Sequence, residues 1–141
     1  MTVQTITLRL PENLFLRFQQ AARATRRSLD DVLLYAMQVG SPPRWDDAPA
    51  EFQADLAALD RMDDEALWRL AGSRKKVADM ERYQELLDKN ANGLLSSAER
   101  EELTGLRVEY DRMMLCKAHA ASLLRWRGHQ VPPAERWQDA R

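Results

Sequence analysis

The chain opens with polar and apolar residues in strict alternation, ended by a proline. In Thr5-Ile6-Thr7-Leu8-Arg9-Leu10-Pro11 the apolar residues recur at every second position, which is the period of a β-strand with one buried face. No second alternating run follows it. A lone strand leaves its backbone N–H and C=O groups unpaired, and a second copy of the chain is the nearest source of partners. The pattern therefore predicts a two-stranded antiparallel ribbon built by two chains.

Two short amphipathic helices are predicted after this strand. Pro11 and Glu12 are typical of a helix start, and apolar residues at helical spacing continue to about Thr25. Ser28 is the expected N-cap of the second helix, which ends at Gly40. A unit this small does not bury a core alone, whereas two interlocked copies can. We expect the dimer core to contain Ile6, Leu8, Leu10, Leu14, Phe18, Leu29, Leu33 and Met37.

From Thr5 to Met37 the chain resembles the ribbon-helix-helix repressors of the Arc/MetJ type, a fold shared by many antitoxins. The likeness rests on the strand ending in Arg-Leu-Pro, the amphipathic helix and the Arg-Ser turn. It implies a homodimer that binds double-stranded DNA and represses transcription. It also implies that Thr5, Thr7 and Arg9 point into the major groove, where an arginine can pair with guanine and a threonine methyl can contact thymine.

The resemblance assigns phosphate binding to the turn between the two helices. Arg26, Arg27 and Ser28, with the backbone N–H groups after them, match the positions that hold a phosphate at a helix N-terminus. The family often has glycine where this chain has Arg26, and a left-handed residue there costs about 1 kcal/mol without glycine. Asp30 and Asp31 favour the helix start but oppose a phosphate.

Composition limits the possibilities without selecting a function. The net charge is −1, yet residues 1–40 carry five arginines against three acids. One cysteine excludes an internal disulfide, and we find neither a secretory signal nor an apolar run long enough to span a membrane. We therefore expect a cytoplasmic protein without a membrane association.

The remainder of the chain reads as helical, so the predicted fold class is mainly α. Residues 41–49 form a proline-rich linker, residues 50–128 a helical region and residues 129–141 a C-terminal tail. Within the helical region, residues 73–127 are typical of a long antiparallel helical hairpin.

Local signals support several of these helices. Phe52, Leu56 and Leu59 predict a helix from Pro49 to Asp60, and Ser96 with Glu99 forms a capping-box sequence. The second hairpin helix outlasts the first, so its end from Lys117 to Trp126 needs another partner. The short helix around Trp68, a second protomer and a foreign protein are the three alternatives.

Nothing in the sequence indicates an enzyme, a cofactor or a metal. Cys116 and His119 have the spacing of metal ligands, but two ligands do not make a zinc site. The favoured interpretation is that Cys116 is a small apolar residue and that His119 is partly exposed. Trp126 and Trp137 are candidate partner-binding residues, since the tail that they flank either folds back on the helices or inserts into a partner.

The leading hypothesis is a homodimeric DNA-binding transcriptional regulator that represses its own gene. The antitoxin of a toxin–antitoxin pair is a narrower form of it, in which the C-terminal region binds the toxin. The alternative is a helical protein–protein interaction or adaptor protein whose N-terminal strand serves dimerisation only. The weak positive charge and the acids near Ser28 favour that alternative.

Overall fold

The computed structural model describes residues 2–133, and every regular element within them is an α-helix. The mainly α class is therefore confirmed. The chain divides into two compact units, Met1–Ser41 and Pro42–Arg141. The helices are α1 (Glu12–Thr25), α2 (Leu29–Val39), α3 (Ala50–Leu59), α4 (Asp64–Ala71), α5 (Val77–Ala91) and α6 (Ser97–Trp126).

The predicted N-terminal strand is wrong, and with it the ribbon-helix-helix fold class. Residues 2–11 form neither strand nor helix, and residues 2–10 make no backbone hydrogen bond to another described residue. A strand exists through its pairing with another strand. From Glu12 onward the described chain forms only helices, so nothing in it can pair with the alternating segment. Its apolar side chains are exposed instead of half-buried, Ile6 to 67% and Leu8 to 57%.

Local signals define both ends of the two helices in the N-terminal unit. α1 begins after Pro11 and ends at Thr25, and its C-cap Arg26 adopts the left-handed conformation with φ 53°. The Arg27 N–H then donates to the Ala22 carbonyl at 3.0 Å, which closes the turn. α2 begins after Ser28, whose hydroxyl oxygen accepts from the Asp31 N–H at 3.1 Å.

The N-terminal unit buries very little apolar surface. Among residues 2–41 only Ala22 is buried. Of the predicted dimer core, four side chains are partly buried and four are exposed within a single chain. The partly buried ones are Leu14, Phe18, Leu29 and Leu33, and the exposed ones are Ile6, Leu8, Leu10 and Met37. One copy of the unit therefore gains little hydrophobic stabilisation.

The second unit contains the main core, which lies where α3 and α4 pack against the C-terminal half of α6. α3 contributes Leu56 and Leu59, and Asp63 caps α4 by accepting from the Ala66 N–H at 2.8 Å. Of the three alternatives for the end of α6, the short helix around Trp68 is the one observed. The core residues are Leu56, Leu59, Leu67, Ala71, Ala120, Leu123 and Leu124.

α5 and α6 form an antiparallel hairpin. The Arg82 guanidinium donates to Glu102 at 2.8 and 2.9 Å, whereas the Lys89 ammonium donates to Glu99 at 2.7 Å. Residue numbers thus rise along α5 while those of the partners fall along α6. Ser96 and Glu99 form the capping box at the start of α6. Leu86 is the side chain of α5 that is buried.

Lys75 lies in the segment that connects α4 to α5, and its side chain has an unusual environment. Its ammonium nitrogen is fully enclosed but has no hydrogen-bond partner among the described residues. It lies 5.4 Å from the ring centroid of Tyr83 and 5.0 Å from that of Tyr110, and these two rings are stacked. Two aromatic faces thus supply the electrostatic contact that a carboxylate would otherwise provide.

Candidate nucleic-acid interface

The turn between α1 and α2 exposes the three residues predicted to bind phosphate. Arg26 and Arg27 are both exposed, and the Arg27 guanidinium lies 5.7 Å from the centroid of the Tyr35 ring. The Ser28 oxygen accepts a hydrogen bond from within α2, so its hydroxyl proton is available for donation to another group. The turn therefore presents two cations and one hydroxyl donor to solvent.

The electrostatics of this turn are mixed. The N-terminus of α2 carries partial positive charge, which attracts anions together with the two arginines. Asp30 and Asp31 lie in the first turn of the same helix and offset part of that attraction.

The three predicted base-reading residues lie in the irregular N-terminal segment. Thr5, Thr7 and Arg9 are exposed, and none of them forms a hydrogen bond or an ion pair with another described residue. The structure does not bring them into contact with Arg26 or Ser28. Their assignment to base edges stays a prediction, and the ribbon that was to carry them is absent.

The arginines of the two units differ in their pairing. All five in the N-terminal unit are exposed, and none forms an ion pair with a described residue. They are Arg9, Arg17, Arg23, Arg26 and Arg27. In the second unit, four of the ten described arginines are paired with carboxylates, namely Arg44, Arg82, Arg112 and Arg127. Arginines without a carboxylate partner are available to an external anion.

The two histidines of the chain form structural contacts with carboxylates that the sequence did not predict. His119 is 7% exposed, and its Nε2 lies 2.8 Å from Oδ1 of Asp60. His129 contacts Oδ2 of Asp64 at 2.6 Å, and Arg127 donates to Oδ1 of the same carboxylate at 2.8 Å. Hydrogen bonds from Arg127 and then His129 hold the pKa of Asp64 below its ordinary value. These partners are more than fifty residues apart, so no local signal could have paired them.

The two residues at metal-ligand spacing, Cys116 and His119, have different surroundings. His119 is engaged by Asp60, and burial raises the pKa of the Cys116 thiol, which disfavours the thiolate that binds metal. Among residues 2–133 no group of three potential His, Cys, Asp or Glu ligands converges.

The two tryptophans predicted to bind a partner have different outcomes. Trp126 is the last residue of α6 and is 50% exposed, whereas Trp137 lies outside the described residues. The first part of the tail does fold back, since Val131 packs against the core and the His129 ring meets that of Trp68 edge-on. Within the described part of the chain, no helix has the length and apolar character of a membrane span.

Comparison with known proteins does not assign the chain to a family. No protein-family model, no curated protein and no solved structure matches it.

Proposed function

We propose that the protein is a homodimeric DNA-binding transcriptional regulator that binds DNA through its N-terminal unit. The observation that carries the proposal is the set of five exposed arginines in this unit, none paired with a described acid. Arginines without a carboxylate partner, on a small unit of net positive charge, can bind the phosphates of a DNA backbone. Contacts with these phosphates provide a large share of the affinity for DNA.

The poorly buried helix pair supports the homodimeric part of the proposal. α2 has no buried residue, and Leu34, Tyr35 and Val39 on it are exposed. Helices that expose such residues usually bury them against another chain. In a dimer, the α1–α2 pair of each copy would cover that of the other. The dimer would also present twice as many arginines to one duplex.

The proposal gives different roles to the arginines of the turn and of the N-terminal segment. Arg26 and Arg27 would contact phosphates, so their loss should weaken binding to all sequences alike. Arg9, with Thr5 and Thr7, would contact base edges, so its loss should also relax sequence preference. These roles do not require a β-ribbon, since an irregular exposed segment can also enter a groove of the duplex.

Selection of bound duplexes from a random pool, followed by mobility-shift titrations, tests the proposal. Arg9→Ala should reduce the affinity for the selected sequence by about 1–3 kcal/mol, and Arg26→Ala should reduce the salt dependence of dimer binding by about two phosphate contacts, one from each copy. Arg100→Ala is the matched control, because Arg100 is exposed on α6 in the second unit and forms no ion pair with a described residue. Absence of binding at low salt, or equal losses in all three variants, would refute the proposal.

A second candidate function is that of an adaptor that binds only proteins. The exposed apolar side chains of α2 favour it, because they would suit a foreign helix as well as a second copy. The narrower antitoxin hypothesis combines both functions, with a toxin bound by the C-terminal region. Co-expression with the product of the adjacent gene tests the antitoxin hypothesis. A mobility-shift assay separates the two regulator hypotheses, which require DNA binding, from the adaptor hypothesis, which does not.

A further inference from the structure

A groove of about 320 Å³ runs along the second unit between the end of α4 and the C-terminal half of α6. Among the described residues, the charged side chains that line it are all basic, namely Arg74, Lys117 and Arg125. None of the three side chains forms an ion pair or a hydrogen bond with another described residue. The surrounding unit has a net charge of −3, so the charge of this groove is opposite to that of the unit that carries it.

The floor of the groove consists of small and apolar side chains. Ala118, Ala121 and Ser122 come from α6, and Met114, which is 46% exposed, lies at one end. Small side chains between two cations allow another backbone to approach α6 closely, because helices pack at axis distances of about 8–10 Å depending on the residues at the contact. The groove thus combines a floor of small, mostly apolar side chains with cationic edges.

The spacing of the cations on α6 matches the repeat of a second helix. Lys117 and Arg125 are eight residues apart, which corresponds to about 12 Å along the axis or slightly more than two turns. Two carboxylates separated by two turns on a docked helix would meet these cations. An apolar side chain midway between the carboxylates would lie over Ala118 and Ala121.

We propose that this groove binds an acidic amphipathic helix of a partner protein. Arg74, Lys117 and Arg125 pair with its carboxylates, and its apolar stripe covers the small residues of α6. A nucleic acid fits less well, because a duplex would leave the apolar floor unused and would be repelled by the net negative charge of the surrounding unit. The proposal goes beyond DNA binding and does not depend on it, since it uses residues of the second unit only.

The probe is a fluorescein-labelled helical peptide that has two glutamates two turns apart and a leucine midway between them. Fluorescence anisotropy with the full-length protein should show saturable binding that weakens as salt is added. Lys117→Glu and Arg125→Glu should each lower the affinity by about tenfold or more, since each places like charges opposite one another. Arg107→Glu is the matched control, because Arg107 is an exposed residue of α6 outside the groove with no described partner.

Four results would overturn the proposal. The first is a lack of saturable binding, and the second is equal affinity for a peptide with glutamine in place of glutamate. The third is that Arg107→Glu lowers the affinity for the peptide as much as the groove variants do. The fourth is that duplex DNA displaces the peptide and itself binds more weakly to the Lys117→Glu variant. The last result would assign the groove to nucleic acid. Circular dichroism establishes that each variant is folded, and Lys117→Gln replaces Lys117→Glu if charge reversal unfolds the helix.

Discussion

The Nε2 atom of His119 lies 2.8 Å from Oδ1 of Asp60, a residue 59 positions earlier in the chain. This contact joins the C-terminal half of α6 to the C-cap residue of α3. The side chain of His119 is almost fully buried, whereas that of Asp60 is 36% exposed. The imidazole therefore fills space in the core while its polar edge reaches a solvated acceptor.

We expect His119→Ala to lower the free energy of unfolding by about 2–4 kcal/mol, because it creates a cavity and removes the partner of Asp60. Urea denaturation followed by circular dichroism measures the change. His129→Ala is the control, since His129 is more exposed and Arg127 still pairs with Asp64 in its absence. A loss in His129→Ala as large as that in His119→Ala would contradict the structural role of the buried imidazole.

The Glu99 carboxylate predicts a specific dependence of stability on pH. A hydrogen bond from Lys89, followed by one from the Ser96 backbone, lowers the pKa of Glu99 from 4.5 to about 2. Its stabilising contribution is therefore complete above pH 4.5 and is lost as the pH falls through about 2. We expect the melting temperature to fall across this interval.

Glu99→Gln separates this effect from general acid denaturation. Glutamine retains the capping box with Ser96 but does not titrate, so the variant should show a shallower fall in melting temperature over the same interval. If the variant and the original protein have the same slope, Glu99 is not a source of the pH dependence.

The left-handed conformation of Arg26 predicts a stabilising substitution. At φ 53° an L-residue with a side chain is strained, so Arg26→Gly should stabilise the N-terminal unit by about 1 kcal/mol. Amide hydrogen exchange of α1 and α2 measures this unit separately. Arg23→Gly, inside the last turn of α1, should instead destabilise it by about 0.5–1 kcal/mol. Faster exchange in Arg26→Gly would contradict the strain argument.

Leu34 tests whether the N-terminal unit mediates self-association. This side chain is 58% exposed on α2, so Leu34→Glu should leave the helices of one chain intact while charging the surface that a second copy would cover. Sedimentation velocity should show a dimer for the original protein and a shift towards monomer for the variant. Leu94→Glu is the control, because Leu94 is equally apolar and is 69% exposed in the second unit. A monomeric original protein would end the homodimer hypothesis.

Helices whose limits are defined by local chemistry were predicted well from the sequence. The prediction of a helix from Pro49 to Asp60 is confirmed by α3, and its three apolar residues are buried. The capping box of Ser96 and Glu99 is also confirmed. In both cases the signal lies within a few residues of the feature that it specifies.

The errors arose where structure depends on distant partners. The alternating segment around Ile6 predicted a strand, but pairing needs a second strand that the described chain does not supply. In α5 the apolar residues Val77 and Met80 are exposed, whereas Leu86 is buried. Contacts with Tyr110 and Glu102 of α6 set the orientation of this helix, and a pattern read along one helix cannot contain them.

Two kinds of contact hold the hairpin, the ion pairs between its helices and the contact of the enclosed Lys75 ammonium with two aromatic rings. They respond differently to ionic strength. The ion pairs of Arg82 and Lys89 are partly exposed, and mobile ions weaken them. The contact of Lys75 with the rings of Tyr83 and Tyr110 is shielded from those ions. The junction before α5 should therefore hold in concentrated electrolyte while the charged pairs nearer the hairpin tip loosen.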